Sequence, residues 1–583
     1  LKLARILLFP LLILALLFFL PQRSRGATSV PDFIADLEPG GGITVLVSLS
    51  GSQDISSTRS KLIASGLSRA HVHREIVSTL MSSSFISRSD LVNYLRKRQS
   101  LGSEIEYRAF WITNTVSIRA SREELEGIAR LPEVEAIYPD LPVTLIEPLL
   151  GGTSSESAGS PEAGLKAIGA PEAWRGGYTG EGRVVCNFDT GVDGEHPALS
   201  RRYRANAATN SPACWFDPGT HTDHPTDERG HGTHTMGIMC GAEGEDTVGV
   251  AIGAQWIAAG VVDRGGGMET TITDLLSAFE WAVDPDGDPE TFDDVPDVIN
   301  NSWGVPLSYH PACDQTFWEA IDNVEACGIV VVFAAGNEGP RAQSLRTPAD
   351  RATSPTNSFS VGAVDAHNPE CPIAYFSSRG PSGCDGLTVK PEVTAPGYSV
   401  RSSFLDGSYV TFSGTSMAAP HVAGAVAILR EFKPEATVEE IKTALMVTAR
   451  DLGPTGEDNS YGWGLIDIPK AMAFLLDPST VTFGEPTQDF PTNFSLRGNH
   501  PNPFNPCTRI VYSLNTPGPV TLEILNLLGE QVKLLESGHK YPGDYATLWD
   551  GSNNGGDRVG SGLYFYRLKM GGEERFGRMT LLR

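Results

Sequence analysis

Four short runs of this chain carry almost no polar residues: Arg183 to Phe188, Trp256 to Val262, Val298 to Asn301 and Gly328 to Ala334. A strand with one wet face alternates polar and apolar side chains, so runs without alternation belong in a sheet covered on both faces. Segments of helical length separate them. Strands alternating with helices build a mainly parallel sheet, because a parallel neighbour is reached only through a crossover connection. An α/β domain is therefore expected over residues 165–478.

The chain has 583 residues, more than one ordinary domain holds, and its flanks read differently. Residues 42–140 give strand (Gly42 to Leu49), helical stretches, strand (Tyr107 to Arg119), helix and strand (Val134 to Tyr138), with Ser121 and Glu124 placed as a capping box. That order fits a small ferredoxin-like α+β sheet with helices on one face. Gly- and Ser-rich sequence at 151–164 marks a linker, taken here as 146–164. A second linker, 479–498, leads to residues 499–583, whose short alternating strands punctuated by Pro and Gly read as an immunoglobulin-like β-sandwich.

Near the start, Lys2 and Arg5 precede an apolar run from Ile6 to Leu20, too short to span a bilayer comfortably. Residues 1–27 thus read as a signal peptide, and the protein as secreted or held at the cell surface of a bacterium. A net charge of −25 argues against a nucleic-acid partner. Export permits disulfides among the eight cysteines. Cys186 and Cys240 sit in apolar runs and read as buried free thiols, while spacing alone suggests Cys313 with Cys327 and Cys371 with Cys384.

The stretch "TFSGTSMAAPHV", 411–422, sets Ser416 at the start of an apolar helix. Pro420 has no N–H to give to the carbonyl of Ser416, which leaves that carbonyl free. Such a serine is either a helix cap or a nucleophile, and a nucleophile needs a base and a group that orients the base. Asp189 ends the strand "VVCNFD", and His231 opens "HGTHTMG", with His234 an alternative base on composition. Acyl transfer also needs donors for a developing oxyanion. Asn337, closing "GIVVVFAAGN", and the backbone amide of Ser416 suit that task.

Together "DTGVDGEHP", "HGTHTMG", "INNSWG", "AAGNEG" and "SGTSMAAPHVAG" resemble the motifs of the subtilisin-like serine proteases, the subtilases, in that family's order. The "NNSWG" variant and the acidic stretch before it are similar to the bacillopeptidase F branch. The resemblance implies a serine endopeptidase acting on proteins or peptides through an acyl-enzyme. Asp189 would be the orienter, His231 the base, Ser416 the nucleophile and Asn337 the oxyanion donor. It further implies that Ser302, Trp303 and Gly304 pair with extended substrate, Trp303 replacing a smaller residue, and that Ala334, Ala335 and Gly336 wall the main specificity pocket. No cofactor is required on this reading. Residues 28–145 would be an inhibitory propeptide, the enzyme's own internal partner, and the precursor would process itself. "NPFNP" and "SGLYFYRL" resemble the C-terminal sorting modules of type IX secretion, whose machinery would then be a partner. "VDPDGDPETFDDVPD", 283–297, holds seven carboxylates and reads as a solvated loop, with structural calcium the alternative.

Overall fold

The computed structural model describes residues 31–35, 42–51, 55–150, 162–206, 211–264, 270–305, 313–352, 356, 358–477, 494–500, 502, 504–514, 516–526, 531–541, 543–556, 558–570 and 573–581. The expected signal peptide, most of the first linker and most of the second lie outside these residues. Among the described residues no helix is long and apolar enough to cross a membrane.

Seven strands of the central region form one sheet, in the order Val393–Pro396, Phe359–Val364, Val330–Ala334, Val298–Asn301, Val184–Asp189, Gln255–Gly260, Trp215–Phe216. All neighbours are parallel, as the unalternating runs require. From Val184–Asp189 the chain goes first to Trp215–Phe216 and Gln255–Gly260 on one side, then to Val298–Asn301 on the other. This reversal opens a crevice at the carboxyl ends of the strands, where α/β proteins bind ligands. Asp189 stands there.

Helix Thr415–Phe432 is buried from Thr415 through Arg430 and packs on the sheet and on helix His231–Cys240. Its all-round apolar sequence is explained by that central position. Gly424 permits the close approach, since a Cβ there would sit 2.9 Å from the Met239 carbonyl oxygen and 2.6 Å from Val250 Cβ.

The N-terminal region carries a four-stranded antiparallel sheet in the order Glu106–Ala109, Thr115–Ser121, Gly42–Leu49, Val134–Pro139. With helices Ile55–Ala64, Arg69–Ser87, Ser89–Ser100 and Arg122–Ile128 this is the ferredoxin-like order. The single strand expected from Tyr107 to Arg119 is a hairpin, closed where Phe110 N–H meets the Thr115 carbonyl. Ser121 accepts from the Glu124 amide, but the Glu124 carboxylate turns to Arg98 and Ser103, so the capping box is only half formed. One face has its own core of Val45, Val47, Leu91, Val116 and Ile118. Val72, Ile76, Phe110 and Ile112 instead join the core of the α/β domain.

Cys186 and Cys240 are buried free thiols, as expected. The disulfide is Cys313–Cys384, with Cα atoms 4.5 Å apart, in place of both spacing-based pairings. Cys327 and Cys371 are buried and free. Sequence spacing carries no information on which loops the fold brings together.

The C-terminal unit is a β-sandwich of two antiparallel sheets. One orders Phe494–His500, Thr508–Leu514, Gly543–Trp549, and the other Gln531–Lys540, Gly518–Leu525, Gly562–Met570, Glu573–Leu581. Tyr512, Leu522, Trp549 and Leu568 fill the space between them. Its first strand begins at Phe494, within the stretch read as linker.

Candidate active site

Asp189 is buried at the end of its strand and is held by two donors, the Thr190 amide at 2.7 Å and the Thr235 hydroxyl at 3.2 Å. Its Oδ1 lies 2.7 Å from His231 Nδ1, so this ring nitrogen carries the proton and Nε2 keeps its lone pair. Burial would lower the His231 pKa. The charge and hydrogen bond of Asp189 outweigh it, helped by Asp227 and Glu147, and the pKa lies above the ordinary 6.5. His234 is excluded as the base by its surroundings. Its Nε2 meets the Val410 carbonyl at 3.1 Å, and burial, with the nearby His231, pushes it down to about 3.

Ser416 is the second residue of its helix, and Gly414 occupies the cap position. The helix-cap reading of Ser416 therefore fails. The carbonyl left free by Pro420 is taken by the Ser302 hydroxyl at 3.2 Å, which ties the helix start to the strand end beside it. The Ser416 amide lies in the first turn, where no intrahelical acceptor exists, and keeps its donor for the crevice. Asn337 is oriented from behind. Its Oδ1 accepts from the Thr415 amide at 2.9 Å and the Thr415 hydroxyl at 3.0 Å, which leaves the Nδ2 donor facing the crevice.

The crevice is filled by residues 142–150 of the chain itself. Pro142 bridges Thr271, and the Val143 amide reaches the Thr270 carbonyl at 2.9 Å. Thr144–Leu145 pairs antiparallel with Trp303–Gly304, and the Ile146 amide reaches the Ser302 carbonyl at 3.3 Å. Beyond it, Leu149–Leu150 pairs with Phe412–Ser413. Val143, Leu145 and Ile146 are buried, each contributing roughly 1.5–3 kcal/mol relative to exposure. Ser416 Oγ donates to the Ile146 carbonyl at 2.9 Å. Asn337 Nδ2 donates to the next carbonyl, Glu147, also at 2.9 Å. The serine and the amide thus hold consecutive carbonyls.

Of the residues expected from sequence, Ser302, Trp303 and Gly304 carry this strap, and Ala334, Ala335 and Gly336 lead into Asn337. Trp303 is buried against Phe317 and Phe333, so its bulk lies under the crevice floor. Sequence reasoning missed Asp227. This carboxylate accepts from Thr190, Arg229, Gly230 and Thr233 and so fixes the loop that aims His231. An acid four residues before the histidine in "DERGH" was its only signal.

No group of three or more His, Cys, Asp or Glu side chains among the described residues is arranged to hold a metal. Several carboxylates of the acidic loop are engaged by neighbouring groups. Asp297 is spent on Arg69 and the Val184 amide, Asp294 accepts from the Asp286 amide, and burial with like-charged neighbours raises Asp284 and Asp294 to about 6.

The structure pairs Asp189 with His231 at the carboxyl ends of a parallel α/β sheet and sets Ser416 against the Ile146 carbonyl, with His231 Nε2 buried and without a hydrogen-bond partner among the described residues. The class is thus an α/β protein carrying an Asp–His pair and a serine at its sheet's switch point. The chain belongs to the subtilase family, whose model matches residues 180–464. It is 32% identical over 454 residues to bacillopeptidase F of Bacillus subtilis (strain 168), covering 73% of this chain but 30% of that relative. It is 34% identical over 319 residues to subtilisin E of the same organism, covering 54% of this chain and 72% of the relative. With subtilisin BL of Lederbergia lenta it shares 32% over 309 residues, 53% of this chain and 97% of the relative.

Proposed function

We propose that the protein is an exported serine endopeptidase, made as a precursor whose residues 28–145 inhibit it until it cuts itself. The observation that carries this reading is the strap: a peptide already lies across Ser416 in the antiparallel pairing that an extended substrate would adopt. In the reaction His231 Nε2 takes the Ser416 proton as Oγ attacks a substrate carbonyl, and Asp189 stabilises the imidazolium that forms. Asn337 and the Ser416 amide bind the oxyanion. His231 then protonates the leaving amine, and water, activated by the same imidazole, releases the acyl group.

For the first cut the pairing supports the Ile146–Glu147 bond. Ile146 has its amide on Ser302 and its carbonyl on Ser416, while the Glu147 carboxylate raises the His231 pKa and so lies on the base's side. Cleavage there requires the Ile146 carbonyl to move into the position now taken by that of Glu147. The C-terminal sandwich is read as a sorting module for type IX secretion, on its "NPFNP" and "SGLYFYRL" motifs. A fluorophosphonate probe tests the central role: it should form one covalent adduct, on Ser416, in the processed protein. Folded, processed protein without that adduct would overturn the proposal.

A further inference from the structure

The crevice holds one charged side chain that the serine, histidine, aspartate and asparagine do not explain. Arg346 is mostly buried, and its Nη1 donates to the Leu145 carbonyl at 3.1 Å and to the Thr144 hydroxyl at 3.3 Å. Its other edge is held from behind, Nε and Nη2 each meeting Glu338 Oε1 at 2.6 Å. Glu338 is fixed in turn by Ser378, whose hydroxyl lies 3.3 Å from Oε2 and accepts from the Glu338 amide. The Arg346 amide is anchored on the Ala335 carbonyl at 3.2 Å. Gly304 leaves room for the stem, because a Cβ there would come within 2.8 Å of Arg346 Cβ.

We infer that Arg346, braced by Glu338, is a specificity-determining residue that grips the second and third residues before the scissile bond. The inference rests on the peptidase reading above. One Nη1 contact goes to a backbone carbonyl, which every peptide has, and holds any substrate in register. The other goes to the side chain of the third residue before the cut, Thr144 in the strap. A guanidinium with a free donor edge favours an acceptor there, a carboxylate most, a hydroxyl next, and it disfavours a cation. Glu338 neutralises part of the charge and keeps the preference moderate. The substrate class is therefore an extended peptide with Glu, Asp, Thr or Ser three residues before the cut and aliphatic residues at the two positions that follow, as Leu145 and Ile146 are in the strap.

The test uses the self-processed enzyme and quenched fluorescent peptides Val-Xaa-Leu-Ile-Glu-Ala, with Xaa as Glu, Thr, Ala or Lys. In the parent, kcat/KM should fall in that order, by about tenfold from Glu to Lys, the size of one charge-assisted contact at a partly wet site. The difference should lie mainly in KM, because the contact is already made to the bound ground state. Arg346→Ala should compress the series to within about twofold, Arg346→Lys should keep its order, and Arg346→Glu should reverse it. Fluorophosphonate labelling of Ser416 in each variant reports an intact site. If a variant fails to label, Arg346→Gln, a shorter side chain that keeps N–H donors without charge, must bring the Glu-to-Lys ratio below about threefold. A labelled Arg346→Ala or Arg346→Gln enzyme that keeps the parent's roughly tenfold span, or a labelled Arg346→Glu enzyme that keeps its order, overturns the role of Arg346. A parent that neither labels nor cleaves overturns the peptidase reading itself.

Discussion

Replacing Asn337 by leucine removes a side-chain amide while keeping its approximate size, and the structure separates two consequences. The first concerns turnover. Nδ2 faces the crevice because Oδ1 is held by Thr415, so the donor is set before substrate arrives and costs no reorganisation. Loss of one such donor should lower kcat by about 100- to 1,000-fold, roughly 2.7–4 kcal/mol, the range found for a subtilisin. KM should change little, since the strap contacts through Ser302, Trp303 and Gly304 are untouched. The second concerns stability. Thr415 is fully buried, and leucine strips the acceptor from its amide and its hydroxyl, at a cost of about 1–3 kcal/mol for each unsatisfied group. Asn337→Asp keeps Oδ1 for Thr415 and loses only the donor, so it should retain more of the melting temperature while turnover still collapses. The assays are steady-state kinetics on a peptide substrate and thermal denaturation of the three proteins. Unchanged kcat in both variants would refute the role of Nδ2, and a leucine variant as stable as the parent would refute the Thr415 anchor.

The pH profile follows from His231. Its imidazole must be neutral to accept a proton, and its pKa is raised, so kcat/KM should fall as pH drops through a value above 6.5. Asp189→Asn removes the largest raising charge and leaves burial opposed only by Asp227 and Glu147, which should move the midpoint down. An unmoved midpoint would break the link. Gly424→Val places methyl groups against Met239 and Val250, and a melting temperature within experimental error of the parent would contradict the close helix approach; about 1–3 kcal/mol of destabilisation is expected. Deleting residues 483–583 should leave peptidase activity intact and abolish surface delivery, because every residue assigned to chemistry precedes 417 and the sandwich folds around its own core.

Much of the α/β domain was legible because its signals are local. Wholly apolar runs such as "GIVVVFAA" have no stable place except a doubly covered sheet, and Pro420 announces the carbonyl that Ser302 takes. Thr437 and Glu440 form the full capping box that Ser121 and Glu124 do not. The difference is tertiary, since Arg98 competes for Glu124. Contacts between residues distant in sequence were not legible. The strap is the clearest case: residues 146–150 read as the start of a linker after a propeptide ending at 145, and the strand pairing of Thr144 to Leu150 exists only because Trp303–Gly304 and Phe412–Ser413 line the crevice on either side. Arg346 was hidden for the same reason. It lies 42 positions beyond Gly304 in "RAQSLRTPAD", a loop with no periodicity, and only the fold sets it over Thr144. The disulfide partner of Cys313 is likewise set by the meeting of two loops.

The central claim is that Ser416, activated by His231, cuts the strap it already holds. Parent and Ser416→Ala chains should be made in a protease-free translation system and sequenced from their N-termini over time. The account predicts a new N-terminus at Glu147 in the parent, at a rate independent of protein concentration, and no cut in the variant, which keeps the fold and loses one oxygen. Equal processing of both chains, or a parent that folds and stays whole, would contradict it.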